Sequence, residues 1–279
     1  IEKARGEILL FTEADHTMSE LWVQSIVECY DPEGTIGAVC SFVCLPHKKK
    51  SSLFMRFQEL DYLSITLMGA GYFGIGYNAC NNGNNFSYRK KLFYEVGGFS
   101  GIEDITSGDD DLLLEKFVTL TNKKVVYCNN KNAIVETAPV NTLKGLLNQR
   151  SRWASKAFIY KRLSYTILVI GIFLFDLFIC LCPVLLLFLP QSFFLILGIL
   201  SVKTILEGML FLPQLVRIKR YALIPNLFLL QLLHAPYVVY VGLAGVLGNF
   251  EWKSKPDATQ VLSEPVYVKK SSQGEAGKI

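Results

Sequence analysis

Two groups of carboxylates carry the residue types from which chemistry is built. Glu13-Ala14-Asp15 follows directly on an apolar run, EILLFT, at residues 7–12. Side chains two apart in an extended segment point the same way, so both carboxylates can face one ion. Hard oxygen ligands of this kind suit Mg2+ or Mn2+ on a diphosphate, with His16 adjacent as a further ligand. Taken by itself, an isolated acidic triplet is better accounted for by a solvated loop. The second group is Ser107-Gly108-Asp109-Asp110-Asp111, which opens an apolar run. A helix capped by Ser107, with acids at its positive end, explains part of it. Three consecutive aspartates exceed that need, because they repel one another and require something nearby to offset them. A carboxylate acting as general base on a sugar hydroxyl would supply the reason.

Two further stretches could bind rather than react. Residues 78–85 contain five asparagines, Asn84 and Asn85 among them, and lead towards Gly97-Gly98-Phe99. Asn and Gly are ordinary turn residues. Such a density of amides also suits a polyhydroxyl ligand, which needs both donors and acceptors. Gln149-Arg150-Ser151-Arg152-Trp153 lies in a basic amphipathic segment just before the apolar part of the chain. Arg and Trp are common anchors at a membrane interface. In a binding role Arg152 would meet a phosphate and Trp153 a sugar face.

The elements that must position these residues come in two unlike halves. Over 279 residues the chain is 51% hydrophobic and 19% charged, an average that neither a soluble enzyme nor a pure membrane bundle gives. An aromatic content of 13% excludes a disordered or collagen-like chain. The net charge of +4 is too mild to argue for nucleic acid, and the basic residues cluster beside the apolar half, where membrane lipids are the acidic partner. Seven cysteines, an odd number without CxxC spacing, fit a reducing compartment better than a disulfide framework. Residues 1–160 alternate strand and helix signals, which argues α/β. Strands are expected at residues 7–12, 37–45, 85–88 and 124–128, the first as a parallel strand buried on both faces. Helices are expected at residues 18–29, 54–68, 112–120 and 142–160, the last amphipathic and basic.

From residue 163 to 216 only Asp176, Lys203 and Glu207 are charged, and from 221 to 250 nothing is. A helix needs about 20 apolar residues to cross the hydrocarbon core, so three spans are expected at about 164–189, 193–215 and 222–247. Lys203 and Glu207, four apart, can neutralise each other; Asp176 has no evident partner. Arg150, Arg152, Lys156, Lys161 and Arg162 precede the first span, and Arg217, Lys219 and Arg220 follow the second. Both clusters should face the cytoplasm, which puts residues 1–160 there as well. A third span would leave Lys253 and Lys255 outside unless the segment breaks at His234-Ala235-Pro236 and returns. Residues 251–279 read as a polar, disordered tail.

In order, these pieces resemble a membrane-bound family 2 glycosyltransferase of the cellulose-synthase-like type. Thr12-Glu13-Ala14-Asp15 stands for that family's DxD, residues 83–99 for its acceptor-side strand and GGF, Gly108-Asp109-Asp110 for its acidic base motif, and residues 149–153 for QxxRW. Phe250-Glu251-Trp252-Lys253 follows the apolar spans. The resemblance implies a GT-A-like α/β domain followed by transmembrane helices. It also implies inverting transfer from a nucleotide-sugar donor to a saccharide or lipid-linked acceptor, for envelope or extracellular polysaccharide, in the inner or plasma membrane. By position, Asp15 and Glu13 would bind Mg2+ or Mn2+, with Glu13 where the family usually has Asp. Asp110 would be the base, with Asp109 beside it, and Gln149, Arg152 and Trp153 would close over the diphosphate and the acceptor end. Asn84 and Asn85 would line the acceptor side. The family's first strand-helix-strand unit, which holds the nucleotide, has no counterpart in these residues. That motivates a second reading, a non-catalytic membrane remnant or assembly subunit. A third, a small transporter built on Asp176, Lys203 and Glu207, leaves the polar half unexplained.

Overall fold

The computed structural model describes residues 1–47, 51–78, 83–103, 108–156 and 163–248. Cys80, Ser107, Lys161, Arg162, the Phe250-Glu251-Trp252-Lys253 segment, Lys255 and the tail lie outside the described residues. Four strands form the main sheet: β1 (Ile8–Phe11), β3 (Ile36–Ser41), β5 (Phe86–Arg89) and β6 (Lys124–Cys128), in the order β1-β5-β3-β6. β3 and β6 are parallel, whereas β5 runs antiparallel to both β1 and β3. A smaller sheet joins β2 (Thr17–Met18), β7 (Val135–Glu136) and β4 (Val43–Cys44). The fold is thus mixed α/β, as the alternation implied. The expectation for residues 7–12 needs correcting. β1 is the end strand of this sheet, pairs antiparallel, and buries only Leu9 fully. Its short apolar composition does not distinguish a central strand from an edge one.

Alternation along β3 distributes the core. Ala38 and Cys40 face Phe86, Tyr88, Leu113, Leu114 and Phe117, while Val39 faces Trp22, Ile26 and Val135 on the other side. The first face is covered by α3 (Lys90–Glu95) and α4 (Asp109–Leu120), the second by α1 (Trp22–Val27). α2 (Leu53–Gly74) is longer than its sequence pattern suggested and joins the two halves. Leu60, Leu63 and Leu67 pack with Phe42 of the sheet domain and with Phe211, Leu215, Leu223 and Leu230 of the apolar region. α2 also buries four polar residues; Thr66 donates to the Val43 carbonyl, and the other three each hold a different segment. Gln58 exchanges two hydrogen bonds with the backbone of Val140. Glu59 pairs with Arg220 at 2.7 Å and with His47 at 2.9 Å. Asp61 pairs with Arg150 at 2.7 Å.

α5 (Leu143–Ala154) is capped by Thr142, whose hydroxyl accepts from the Gly145 N–H. α6 (Leu163–Phe188) and α7 (Phe193–Arg217) follow, joined through a 3-10 turn at Pro190–Ser192. Among the described residues two helical stretches, Thr166–Phe188 and Pro190–Arg217, are long and apolar enough to cross a membrane. α8 (Leu227–Val246) stays helical through Pro236, so the break considered at residues 234–236 does not occur. It packs along both α5 and α6. At Gly245 a methyl would lie 2.8 Å from the Ser151 carbonyl, and at Gly242 it would lie 2.8 Å from the Phe173 ring, so α8 approaches both helices through glycine. Lys203 and Glu207 form the expected ion pair. With Asp176 and His234 they line a cavity of about 530 Å3 between α6, α7 and α8.

Candidate functional site

The turn that leaves β1 presents Glu13 and Asp15 to solvent and folds His16 underneath them. His16 Nδ1 accepts the Glu13 backbone N–H at 3.2 Å and lies 3.1 Å from the Thr12 hydroxyl. A neutral ring accepting at Nδ1 carries its proton on Nε2. That atom is buried, makes no hydrogen bond, and lies 3.6 Å from Asp15 Oδ1. In this tautomer the ring supports Asp15; its proton would have to move to Nδ1 before Nε2 could face an ion. Ligand atoms of Glu13, Asp15 and His16 lie within 4.8 Å of one another, a group able to hold a metal ion. Two exposed carboxylates with a buried imidazole behind one of them are a donor set that fits a hard divalent cation.

The second group of acids opens α4. Gly108 adopts the left-handed conformation (φ 92°), and Asp109, Asp110 and Asp111 fill the first helical turn. Asp110 Oδ2 accepts the Gly83 N–H at 2.7 Å. That approach requires glycine, since a Cβ on Gly83 would fall 2.3 Å from the same oxygen. Burial pushes the Asp110 carboxyl above the usual carboxylate range. Lys156 opposes the shift, together with N–H groups of Asp111 and Gly83, while Asp109 adds to it. Asp109 itself is exposed. Behind α4, Lys116 donates to the Gly98 and Ser100 carbonyls, so the Gly97-Gly98-Phe99 turn braces this helix.

α5 supplies the third group. Arg150 is buried, binds Asp61 through Nε (2.9 Å) and Nη2 (2.7 Å), and donates to Gln149 Oε1 at 2.8 Å. Its guanidinium lies 4.2 Å from the centroid of the Trp153 ring. Trp153 packs against Val43, Leu45 and Tyr62. Arg152 points elsewhere. It is half-buried, which lowers its pKa, and the Glu13 carboxylate acts against that loss. Lys156, just past α5, is likewise lowered by burial and held charged chiefly by Asp110, then Asp111 and Asp109, with Arg152 the opposing cation. A continuous electrostatic chain therefore runs Glu13, Arg152, Lys156, Asp110. It links the acidic turn after β1 to the acidic start of α4 by way of α5.

Asn85 is not part of this arrangement. It is buried, its amide nitrogen donates to the Phe42 and Ala133 carbonyls at 2.8 and 2.7 Å, and its oxygen accepts from Trp22 Nε1 at 3.1 Å. Both amide hydrogens are used inside the fold, so Asn85 ties three segments together and has none left for an acceptor. Asn84, half-buried, sits beside Gly83 in the 3-10 turn Gly83–Asn85. Three residues escaped the reading of the sequence. Gly83 carried a signal, a glycine inside an amide-rich turn. Lys156 and Asp61 carried none, since each is defined by a partner far away in the chain. Two arginines counted as surface charges, Arg150 and Arg220, are buried in ion pairs. A family model described as glycosyl transferase family group 2 matches residues 8–242. No curated protein matches the chain.

Proposed function

Because the chain belongs to the family 2 glycosyltransferases, we propose that it transfers a sugar with inversion at the inner face of a membrane. The donor is a nucleotide diphosphate sugar and the acceptor a saccharide or lipid-linked hydroxyl, for envelope or extracellular polysaccharide. The observation that supports this reading is the pair of cations, Arg152 and Lys156, set between the carboxylates of Glu13 and Asp110. A donor diphosphate is anionic and an acceptor hydroxyl needs a base. Two cations flanked by carboxylates offer both within a single site.

In this reading Asp110 takes the proton of the acceptor hydroxyl as the oxygen attacks the anomeric carbon and the bond to the diphosphate breaks. Partial burial suits the task, because a carboxylate whose pKa is raised is a stronger base. The Gly83 N–H fixes its orientation. Arg152 faces the departing diphosphate, where its planar fork can bind two oxygens at once. Mg2+ or Mn2+ held by Glu13 and Asp15 would supply neutralisation of the leaving group. Trp153, held from behind by Arg150 and Tyr62, presents a rigid ring to the acceptor end. Asp109 and Asn84 border the acceptor.

The apolar half serves as anchor. Arg150 and Arg220 tie α5 and the turn after α7 to the polar domain, which supports one side of the bilayer for these helix ends and the site, and the basic residues flanking the apolar spans favour the cytoplasmic side. The test is Asp110→Asn in the full chain, assayed for transfer from a radiolabelled nucleotide sugar. The expected result is a loss of about 10^2-fold or more with expression and fold unchanged, the contribution of a positioned base. Undiminished turnover would remove Asp110 from the reaction.

A further inference from the structure

Lys156 lies three residues beyond Trp153, in the turn that ends α5. Its side chain runs across Gly108. A methyl placed on that glycine would meet Lys156 Cδ at 3.0 Å and Nζ at 3.4 Å. Gly108 is the residue from which α4 starts, so the ammonium is held against the first turn of that helix, where Asp109, Asp110 and Asp111 begin.

Simple electrostatics disfavours a cation there. The amino end of a helix carries positive partial charge, and burial presses Lys156 towards its neutral form. Arg152 repels it as well. Three carboxylates, Asp110 first among them, act against these effects, although burial remains the larger influence on the lysine. From the other side, Asp110 is crowded by Asp109 and pushed up by burial, and Lys156 is the largest influence holding it down. The Gly83 N–H grips the carboxylate on one side at 2.7 Å, and Lys156 supplies the charge that lets three adjacent aspartates share one turn.

We propose that Lys156 is a positioning residue for Asp110: lying across Gly108, it keeps the carboxylate anionic and, with the Gly83 N–H, holds it in the orientation that receives the acceptor proton. The proposal rests on the reading of Asp110 as the base. It also gives Gly108 a reason, since any side chain at that position would displace the lysine. The groups facing Asp110 are Asp109 and the Asp111 N–H on α4, Lys156 from the α5 side, and the Gly83 N–H from its turn.

The experiment is the pH dependence of kcat/KM between pH 5 and 9, using the full chain in nanodiscs. Wild type, Lys156→Gln, Lys156→Met, Lys156→Arg, Asp109→Asn and Asp110→Asn are compared. In Lys156→Gln the acid limb should move up by about one pH unit, a roughly tenfold deficit along that limb that closes at high pH. Lys156→Arg should keep the limb where it is. Asp109→Asn, which removes a like charge, should move it down, and Lys156→Met, uncharged and of similar length, decides the matter if Lys156→Gln does not fold. A rate lowered by the same factor at every pH would make Lys156 merely structural and overturn the proposal. So would a raised KM for the nucleotide sugar at constant kcat, which would assign the lysine to the donor. Full activity of Asp110→Asn would overturn the base reading itself; an inactive Asp110→Asn beside an unmoved Lys156→Gln limb would overturn only the role of Lys156.

Discussion

Gly83 and Asn85 are neighbours in one 3-10 turn and do opposite things. Asn85 spends its amide on the Phe42 and Ala133 carbonyls and the Trp22 indole. Gly83, with no side chain, brings a backbone N–H to Asp110. In a reading by residue type the asparagine attracts attention and the glycine does not; packing reverses their importance. Gly83→Ala sharpens this. Its methyl would overlap the carboxylate at 2.3 Å, so Asp110 must swing away. Displacing a catalytic group by about 1 Å costs about 10^2-fold in rate. Transfer should fall by that order while circular dichroism and elution volume stay unchanged. His16 teaches the same lesson, since its bond to the Glu13 N–H sets the tautomer and hence what Nε2 can offer.

Among elements, α2 does the most to define the site without entering it. Asp61 holds Arg150, and Arg150 in turn braces Gln149 and stacks on Trp153. Both members of that pair are buried, so removing one leaves the other charged and unpaired. Asp61→Ala is expected to destabilise by about 3–5 kcal/mol, whereas an apolar pair of similar volume, Asp61→Leu with Arg150→Met, should recover most of the loss. Denaturant titration in detergent, following tryptophan fluorescence, would measure both. Recovery of stability without recovery of transfer would separate the pair's role in folding from its role in orienting Trp153. α8 presses on α5 from the opposite side at Gly245, so α5 is held between a helix of the polar domain and one of the apolar region.

For the whole molecule, the connection between the two halves is ionic as well as apolar. Arg220 reaches Glu59 and Glu136 at 2.7 and 3.2 Å, and Leu215 and Leu223 join the α2 core. Two of the basic residues that suggested orientation are therefore interior, and their charge is neutralised within the fold. The remaining basic residues among those counted on, Arg152, Lys156, Lys161, Arg162, Arg217 and Lys219, carry the topological bias alone. The metal is a prediction at this scale too, because the acidic turn after β1 is useful only when Arg152 and α4 stand opposite it. Chelation with EDTA should abolish transfer and added Mn2+ should restore it. Glu13→Ala should raise the Mn2+ concentration needed by about tenfold or more, the usual cost of losing one supporting oxygen ligand. Restoration by Mn2+ at the wild-type concentration in that variant would take Glu13 out of the ligand set.

Much was legible without coordinates. The strand Lys124–Cys128, the apolar helices α6 and α7, the i,i+4 pairing of Lys203 with Glu207 and the order of the motifs all follow from local composition and spacing. Period and length are properties of a short window, so sequence alone determines them. The neighbours of each polar group were not legible. Asp, Arg and Asn can equally well be solvated, spent inside the core or aimed at a ligand, and only distant partners decide between these roles. Tertiary structure therefore decided that β1 is an end strand, that Arg150 and Asn85 are used up within the fold, and that Lys156 lies across Gly108 at the start of α4. Burial and charge compensation are set by contacts across the chain, which residue type along it does not specify.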